Sequence, residues 1–434
     1  LATDGDGGPA GCEAVWQLEI MRDGETSVNR SLGVAAVSLA VGGSLLLSAC
    51  SSSGSKTNAG GDSSSSTTSA APTSSAASTT SSATQAEASA ATATSAANLG
   101  GMDALVAAAK QEGALNVITL PRNWANYGQL MDDFTKKYGI KITDDNPDGS
   151  SADEINAIKT LKGQDRAPDV VDVGMAFAYS GASEGLYAPY KVASWADIPD
   201  AAKDANGQWF NDYGGVVSIG CDSAKVKKCP TSFKALDDPA YKGMVALNGD
   251  PTQANAAIQA VAAVALATGG TLDNVQPGID FFAKLKKAGI YKPVQATEAT
   301  IESGETPIVL DWDYLNAAKS AAASAKGVKW TVTVPTDSPV LAGYYAQAIN
   351  KDAPHPAAAR LWEEYLFSAE GQNGFLKGGA HPVEQDALTS AGTIDKTLLA
   401  KLPKISGTPQ LPSEAQNTSI GQTLVKKWAS TVGG

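Results

Sequence analysis

Four short stretches hold most of the residues able to do chemistry. The sharpest is Asp311-Trp312-Asp313-Tyr314, where an apolar run over 306–312 ends in two carboxylates and two aromatics. Carboxylates beside aromatic faces suit an ammonium, amine or thiazolium group, through charge-assisted hydrogen bonds and a cation–π attraction of ~0.5–2 kcal/mol. The structural alternative is that Asp313 caps the next helix and Trp312 packs in the core. Asp311 and Asp313 are also the one local pair for carboxylate-dependent hydrolysis, which needs two acids at a fixed separation. A second stretch, 121–126, carries Asn123 and Trp124, the indole either facing a flat or cationic ligand or packing on the helix it precedes. A third, 148–154, opens a helix with Ser150 and Ser151, whose exposed N–H groups favour an anion or a ligand oxygen. Ser151 and Glu154 also have capping-box spacing, which uses those donors internally. The fourth, 248–255, places Pro251 at a first helical position and Thr252, Gln253 and Asn255 near the same helix end.

Composition narrows the chemistry. The 434 residues include 2 His and 4 Cys, too few for a zinc cluster or a choice of His-dependent triads. Lys and Arg number 33 against 45 Asp and Glu, a net charge of −12 that repels phosphate backbones and argues against nucleic acid. No residue is assigned a catalytic role, and no metal or cofactor is implied.

The positioning elements alternate between helix and strand. Periodicity predicts helices over 102–112, 127–138 and 151–162, with strands over 115–120, 140–143 and 169–173 between and after them. A second series has strands over 215–219, 244–248, 306–312, 328–334 and 342–349. Its helices fall over 254–267, 279–288, 314–325 and 356–367. Strand–helix alternation of this kind predicts mostly parallel sheets with right-handed crossovers, here in two systems joined near 214–218 and 342–349. Ligands then sit beyond the carboxyl ends of the strands and between the two systems. Tyr344, on the strand that returns between them, joins the candidate ligand contacts.

Upstream, residues 1–20 read as a leader outside the translated protein, and Met21 as the better start. A basic opening from Met21 to Arg30 and an uncharged run to Ala49 form a signal peptide over 21–49. Leu47-Ser48-Ala49-Cys50 resembles the bacterial lipobox, which implies lipidation of Cys50. Residues 51–98 are nearly all Ser, Thr, Ala and Gly, so 50–98 is expected to be a disordered tether spanning about 35–40 Å. In the oxidising compartment this implies, Cys221 and Cys229 read as a local disulfide contributing roughly 2–3 kcal/mol.

Short stretches in order along residues 100–385 carry a family resemblance. They include Gly113-Ala114-Leu115-Asn116-Val117, Ala167-Pro168-Asp169-Val170, Gly185-Leu186-Tyr187-Ala188-Pro189-Tyr190 and Tyr241-Lys242-Gly243. Ala348-Ile349-Asn350-Lys351-Asp352-Ala353-Pro354-His355-Pro356 and Leu366-Phe367-Ser368-Ala369-Glu370-Gly371-Gln372 close the series. With the lipobox, the chain resembles a bacterial ABC-transporter solute-binding lipoprotein of the type II periplasmic-binding-protein fold. The nearest branch is the one that includes ferric-iron, thiamine and polyamine binders. The resemblance implies an α/β protein of two lobes, each a mostly parallel sheet flanked by helices, joined by a hinge. Lobe 1 would be 99–216 plus 343–385, and lobe 2 would be 217–342 plus 386–434. It further implies a non-enzymatic, monomeric receptor, lipid-anchored on the extracellular face of the cell membrane (the periplasmic side where an outer membrane exists). Its partners would be a small solute and a membrane permease. Ferric relatives use a His in the first loop and a Tyr-Tyr pair where this chain has Asp311-Trp312-Asp313-Tyr314, so direct iron coordination is not implied. A cationic or amine-bearing solute, polyamine-like or thiamine-like, is the first expectation. An aminophosphonate or other anionic solute, or a ferric one, is the alternative, and a secreted carboxylate-dependent hydrolase or an adhesion module without a deep cleft the alternatives of another class.

Overall fold

The computed structural model describes residues 89–434, except Ala325, Lys404, Ser406, Gly407, Gly434 and the side chains of 321–323. The leader, the signal peptide, Cys50 and most of the tether lie outside the described residues. Ala90 and Ala93 are buried, and the Arg360 guanidinium donates to the carbonyls of Ala91 and Ala93 at 3.0 and 2.8 Å. Residues 89–98, expected within the disordered tether, are therefore docked on the fold, because a buried arginine recruits their backbone carbonyls.

The first lobe begins with α1 (Met102–Glu112), β1 (Ala114–Ile118), α2 (Tyr127–Tyr138) and β2 (Lys141–Asp145). Gly113 and Gly139 end the two helices in the left-handed conformation, at φ 69° and 75°, where a side chain would be strained. On α2, Tyr127, Leu130, Met131 and Phe134 fall at helical spacing and are buried as one stripe. Then come α3 (Ser151–Thr160), β3 (Val170–Gly174), α4 (Met175–Ser183) and β4 (Tyr187–Ala188). Next is β5 (Phe210–Asp222), buried along its whole length and shared by both lobes.

The second lobe adds β6 (Val245–Leu247), α5 (Asn255–Ala267), α6 (Gln276–Lys287) and α7 (Glu298–Ser303). It is completed by β7 (Ile308–Trp312), α8 (Asp313–Ser324) and β8 (Trp330–Thr333). The Ala-rich α5 is apolar on nearly every side and buried accordingly. The chain returns through β9 (Ala342–Asn350) to α9 (Pro356–Leu366), α10 (Ala369–Lys377) and β10 (His381–Pro382). It ends with α11 (Gln385–Ala391), α12 (Lys396–Leu399) and α13 (Glu414–Thr431). Leu388 and Ile394 pack on Leu376 of α10, and α13 lies against α4, α5 and α6.

The two-lobed α/β architecture is present, but its sheets are mixed, not mostly parallel. β1 pairs with β2 and β6 with β7 in parallel, whereas β9 runs antiparallel to β3 and β5, and β5 antiparallel to β7 and β8. The reason is the return path. β5 leaves the first sheet to become part of the second, and β9 comes back beside it, so each sheet gains strands opposed to its own crossovers. β5 pairs with β9 as far as Val216 and with β7 from Val217 onward, which puts the crossing point between those two residues. The expected disulfide between Cys221 and Cys229 is formed at the far end of β5.

Candidate functional site

Where the strands of the two lobes end, their loops enclose a cavity of about 200 Å³. This is smaller than the roughly 300–1,000 Å³ typical of drug-sized ligand sites, so it suits a compact solute. Lobe 1 contributes Asn123, Trp124, Ser150, Ser151, Asp153, Glu154, Asp172 and Tyr345. Lobe 2 contributes Asn248, Asp250, Gln253, Asn255, Gln295, Glu298 and Lys319.

On the lobe-1 side, the loop after β1 carries Trp124, whose ring meets Tyr345 edge-on with centroids 5.5 Å apart. The indole N–H is buried without a partner. At the start of α3 the capping box sits one residue earlier than the sequence suggested. Ser150 is the N-cap, taking the Asp153 N–H while the Asp153 carboxylate takes the Ser150 N–H at 2.9 Å. Ser151 instead accepts the Gly174 N–H at 3.1 Å, and Glu154 turns inward to accept the Asp172 N–H at 3.0 Å. The shift follows from tertiary demand: the middle and the last residue of β3, Asp172 and Gly174, need acceptors for their N–H groups, and Ser151 and Glu154 are buried against that strand.

On the lobe-2 side, Pro251 does not start the helix. Residues 250–254 form a separate turn in which the Asp250 carbonyl accepts from Gln253 and Ala254 at 2.9 and 2.7 Å. Helix α5 begins at Asn255, and no side chain caps it. Thr252 faces away from the cavity, its N–H and hydroxyl both donating to Asp250 at 2.7 Å. The N-termini of α3 and α7 are closed by capping boxes, so α5 is the helix whose first-turn donors remain open to the cleft.

Asp311, Trp312, Asp313 and Tyr314 do not line the cavity. All four are buried; tertiary partners engage Asp311 and one oxygen of Asp313, while Asp313 Oδ2 and the Tyr314 hydroxyl have no hydrogen-bond partner. Asp311 pairs with Lys319 at 2.5 Å and accepts from Asn248 at 3.0 Å, so it holds two cavity residues in place from behind. Asp313 accepts the Val216 N–H at 2.9 Å beside the crossing point of β5, and burial pushes its carboxyl up to about 6. Trp312 and Tyr314 stack and lie behind Tyr345, whose hydroxyl receives the Trp312 indole N–H at 3.4 Å. The hydrolase alternative thereby loses its acid pair, since neither carboxylate reaches the cleft. Tyr344 is displaced for a geometric reason: neighbours on a strand point to opposite faces, and it is Tyr345 that faces the cleft.

Sequence reasoning thus placed Asn123, Trp124, Ser150, Ser151, Gln253 and Asn255 at the cavity and missed Lys319, Asp172, Tyr345, Asn248, Gln295 and Glu298. Two of these carried a signal. Asp172 is a charge in the apolar run Val170-Val171-Asp172-Val173, and Lys319 is the one basic residue of its helix, four residues after Leu315, which also lines the cavity. The lobes touch across the mouth, where the Asn123 amide donates to Glu298 and Gln295 donates to the Asp148 carbonyl at 3.4 Å.

Comparisons place this geometry among known proteins. The chain has the fold of the periplasmic binding protein AfuA from Actinobacillus pleuropneumoniae, solved with fructose-6-phosphate. Identity is 19%, coverage 74% of this chain and 98% of that one, and the TM-score 0.58. The ferric binding protein from Campylobacter jejuni aligns at 15% identity over 73% of this chain and 99% of its own, with a TM-score of 0.56. A putative spermidine/putrescine ABC transporter from Listeria monocytogenes aligns at 12% identity over 73% and 98%, with a TM-score of 0.54. No curated protein sequence matches the chain. The model of the bacterial extracellular solute-binding protein family matches residues 165–400, which include both hinge strands and the lobe-2 wall of the cavity. With that match spanning more than half its length, the chain belongs to the bacterial extracellular solute-binding protein family.

Proposed function

We propose that the protein is the lipid-anchored, monomeric receptor of an ABC importer, holding a small cationic or amine-bearing solute between its lobes and passing it to a membrane permease. The observation that carries the solute class is the acidity of the cavity: Asp148, Asp153, Asp250 and Glu298 line it with the buried acids Glu154 and Asp172, against one cation, Lys319, itself paired with Asp311. Clefts lined by one sign of charge concentrate the opposite sign. Trp124 and Tyr345 add aromatic surface to which a cation is attracted. Contacts from both lobes exist together only when the lobes are closed, so solute shifts the population toward that state. Support for the anchor is the sequence pattern of a signal peptide over 21–49 followed by Cys50, with Leu47-Ser48-Ala49-Cys50 resembling the lipobox.

One observation favours a solute with an acidic group as well. Lys319 and the uncapped end of α5 lie on the lobe-2 wall, a setting that suits a carboxylate or phosphonate. A thermal-shift and calorimetric panel of polyamines, thiamine, aminophosphonates and ferric citrate tests the reading. Stabilisation by an amine without turnover is expected; a response confined to ferric citrate or to purely anionic solutes overturns it.

A further inference from the structure

Asp172 sits in mid-strand on β3, 5% exposed, and lines the cavity. Its Oδ2 accepts the Tyr127 and Tyr213 hydroxyls at 2.9 and 2.8 Å. Its Oδ1 is buried and has no hydrogen-bond partner. Asp212 on β5 accepts from Gln347 at 2.9 Å, with the Tyr127 hydroxyl at 3.1 Å. Glu363 on α9 is fully buried with neither oxygen partnered.

The ionisable groups that act on Asp172 come from every element packed around it. They are Tyr127 of α2, Glu154 of α3, Asp212 and Tyr213 of β5, Tyr314 of α8, Tyr345 of β9 and Glu363 of α9. None of them is a cation. Among the described residues none of these carboxyls is in an ion pair: the buried pairs are Lys319 with Asp311 and His355 with Asp169. Leaving a buried carboxyl oxygen bare costs the desolvation of that atom. Among the described residues Asp222, Asp313, Glu363 and Glu384 also carry a bare oxygen, but of these acids Asp172 is the one that lines the cavity. Here the bare oxygen belongs to a side chain that borders the solute cavity, and no cation among the groups acting on it offsets the carboxyl.

We propose that Asp172 is the anchor for the solute's protonated nitrogen, supplying at the floor of the cleft the carboxylate oxygen that the protein itself leaves unused. The proposal rests on the cationic reading of the site. Burial, and then the neighbouring Asp212, hold the Asp172 carboxyl well above the usual carboxylate range, and burial lifts Asp212 to about 7. Protonation of the anchor is therefore favoured in the empty cleft, where no cation offsets burial and the neighbouring Asp212. When an ammonium group arrives with its own protons, Asp172 gives up its carboxyl proton to solvent and becomes the carboxylate that pairs with it, so one proton is released per solute bound. Affinity then rises with pH until the anchor is already ionised in the empty protein.

The test is calorimetry of the intact protein with putrescine and spermidine, in two buffers of different ionisation enthalpy, at about pH 6 and about pH 8. The expected result is proton release approaching one per amine and up to about tenfold tighter binding per pH unit across the range where the anchor is protonated. Asp172→Asn should bind the amine at least about tenfold more weakly and release no proton. Difference infrared spectroscopy of the unmodified protein, which does not depend on a variant that folds, should show a protonated-carboxyl band disappear when amine is added. Amine binding with no proton release and no change in that band overturns the anchor and leaves the cationic reading standing. Failure of every amine to bind overturns that reading and the anchor with it.

Discussion

At the scale of single residues, Asp311 and Lys319 form the pair on which the lobe-2 wall depends. The carboxylate is fully buried and the lysine side chain 11% exposed, so each charge relies on the other. Removing one partner of such a pair is costly because the survivor stays buried and uncompensated. Asp311→Ala is expected to lower the unfolding free energy by about 3–5 kcal/mol, read from the urea midpoint, and to weaken solute binding by freeing Asn248 and Lys319. A second residue-scale outcome concerns His355, whose Nδ1 lies 2.9 Å from the buried Asp169 carboxylate. That hydrogen bond raises the imidazole pKa above its ordinary value. Stabilisation from the charged pair is complete below the unfolded-state value of about 6.5 and is lost as pH rises through the raised folded-state value. Urea midpoints measured across that window should fall more steeply with pH for the natural protein than for His355→Asn.

Elements meet through contacts that only small residues permit. Gly174 ends β3 directly against the first residue of α5, and a β-carbon there would stand 2.2 Å from the Asn255 β-carbon. Gly174→Ala is expected to push the uncapped end of α5 out of the cleft. The predicted cost is about 1–3 kcal/mol of stability, seen in thermal unfolding, together with loss of solute binding. A fold unchanged in both respects would show that this approach of β3 and α5 does not shape the site. The disulfide works at the same scale. Cys221 lies on β5 and Cys229 in the loop after it, so the bond ties that loop to the hinge strand. Reduction should destabilise by roughly 2–3 kcal/mol on chain-entropy grounds, measured by denaturation with and without reductant.

For the molecule as a whole, β5 and β9 link the lobes as continuous strands, and the contacts of Asn123 with Glu298 and Gln295 with Asp148 close the mouth. These contacts exist only while the lobes are together, so they weight the closed state without solute. Asn123→Ala is expected to increase the radius of gyration of the solute-free protein in small-angle scattering and leave the saturated form unchanged. Apparent affinity falls in proportion to the closed fraction lost. Equal radii for both proteins in the absence of solute would mean that the Asn123 contact does not set the resting state.

Much of this protein was legible from local pattern alone. Helices such as 102–112 and 127–138 follow from apolar spacing and a terminal glycine, signals contained within one turn of the chain. The loops bearing Asn123, Trp124, Ser150 and Asn255 follow from strand–helix order, since ligands gather where strands end. Strand direction was not legible, because it depends on which distant strand lies alongside, and β5 pairs with β9 over one part of its length and with β7 and β8 over the other. Nor was the choice between buried and accessible acids. Asp311 and Asp172 both end or interrupt apolar strands, yet Lys319 and Asn248 occupy the first, while the second keeps a bare oxygen next to the cavity. Sequence determined the elements, the composition of the loops and the class of fold. Only tertiary structure decided which face each strand turned inward and which charges found partners, because both are set by residues far apart in the chain.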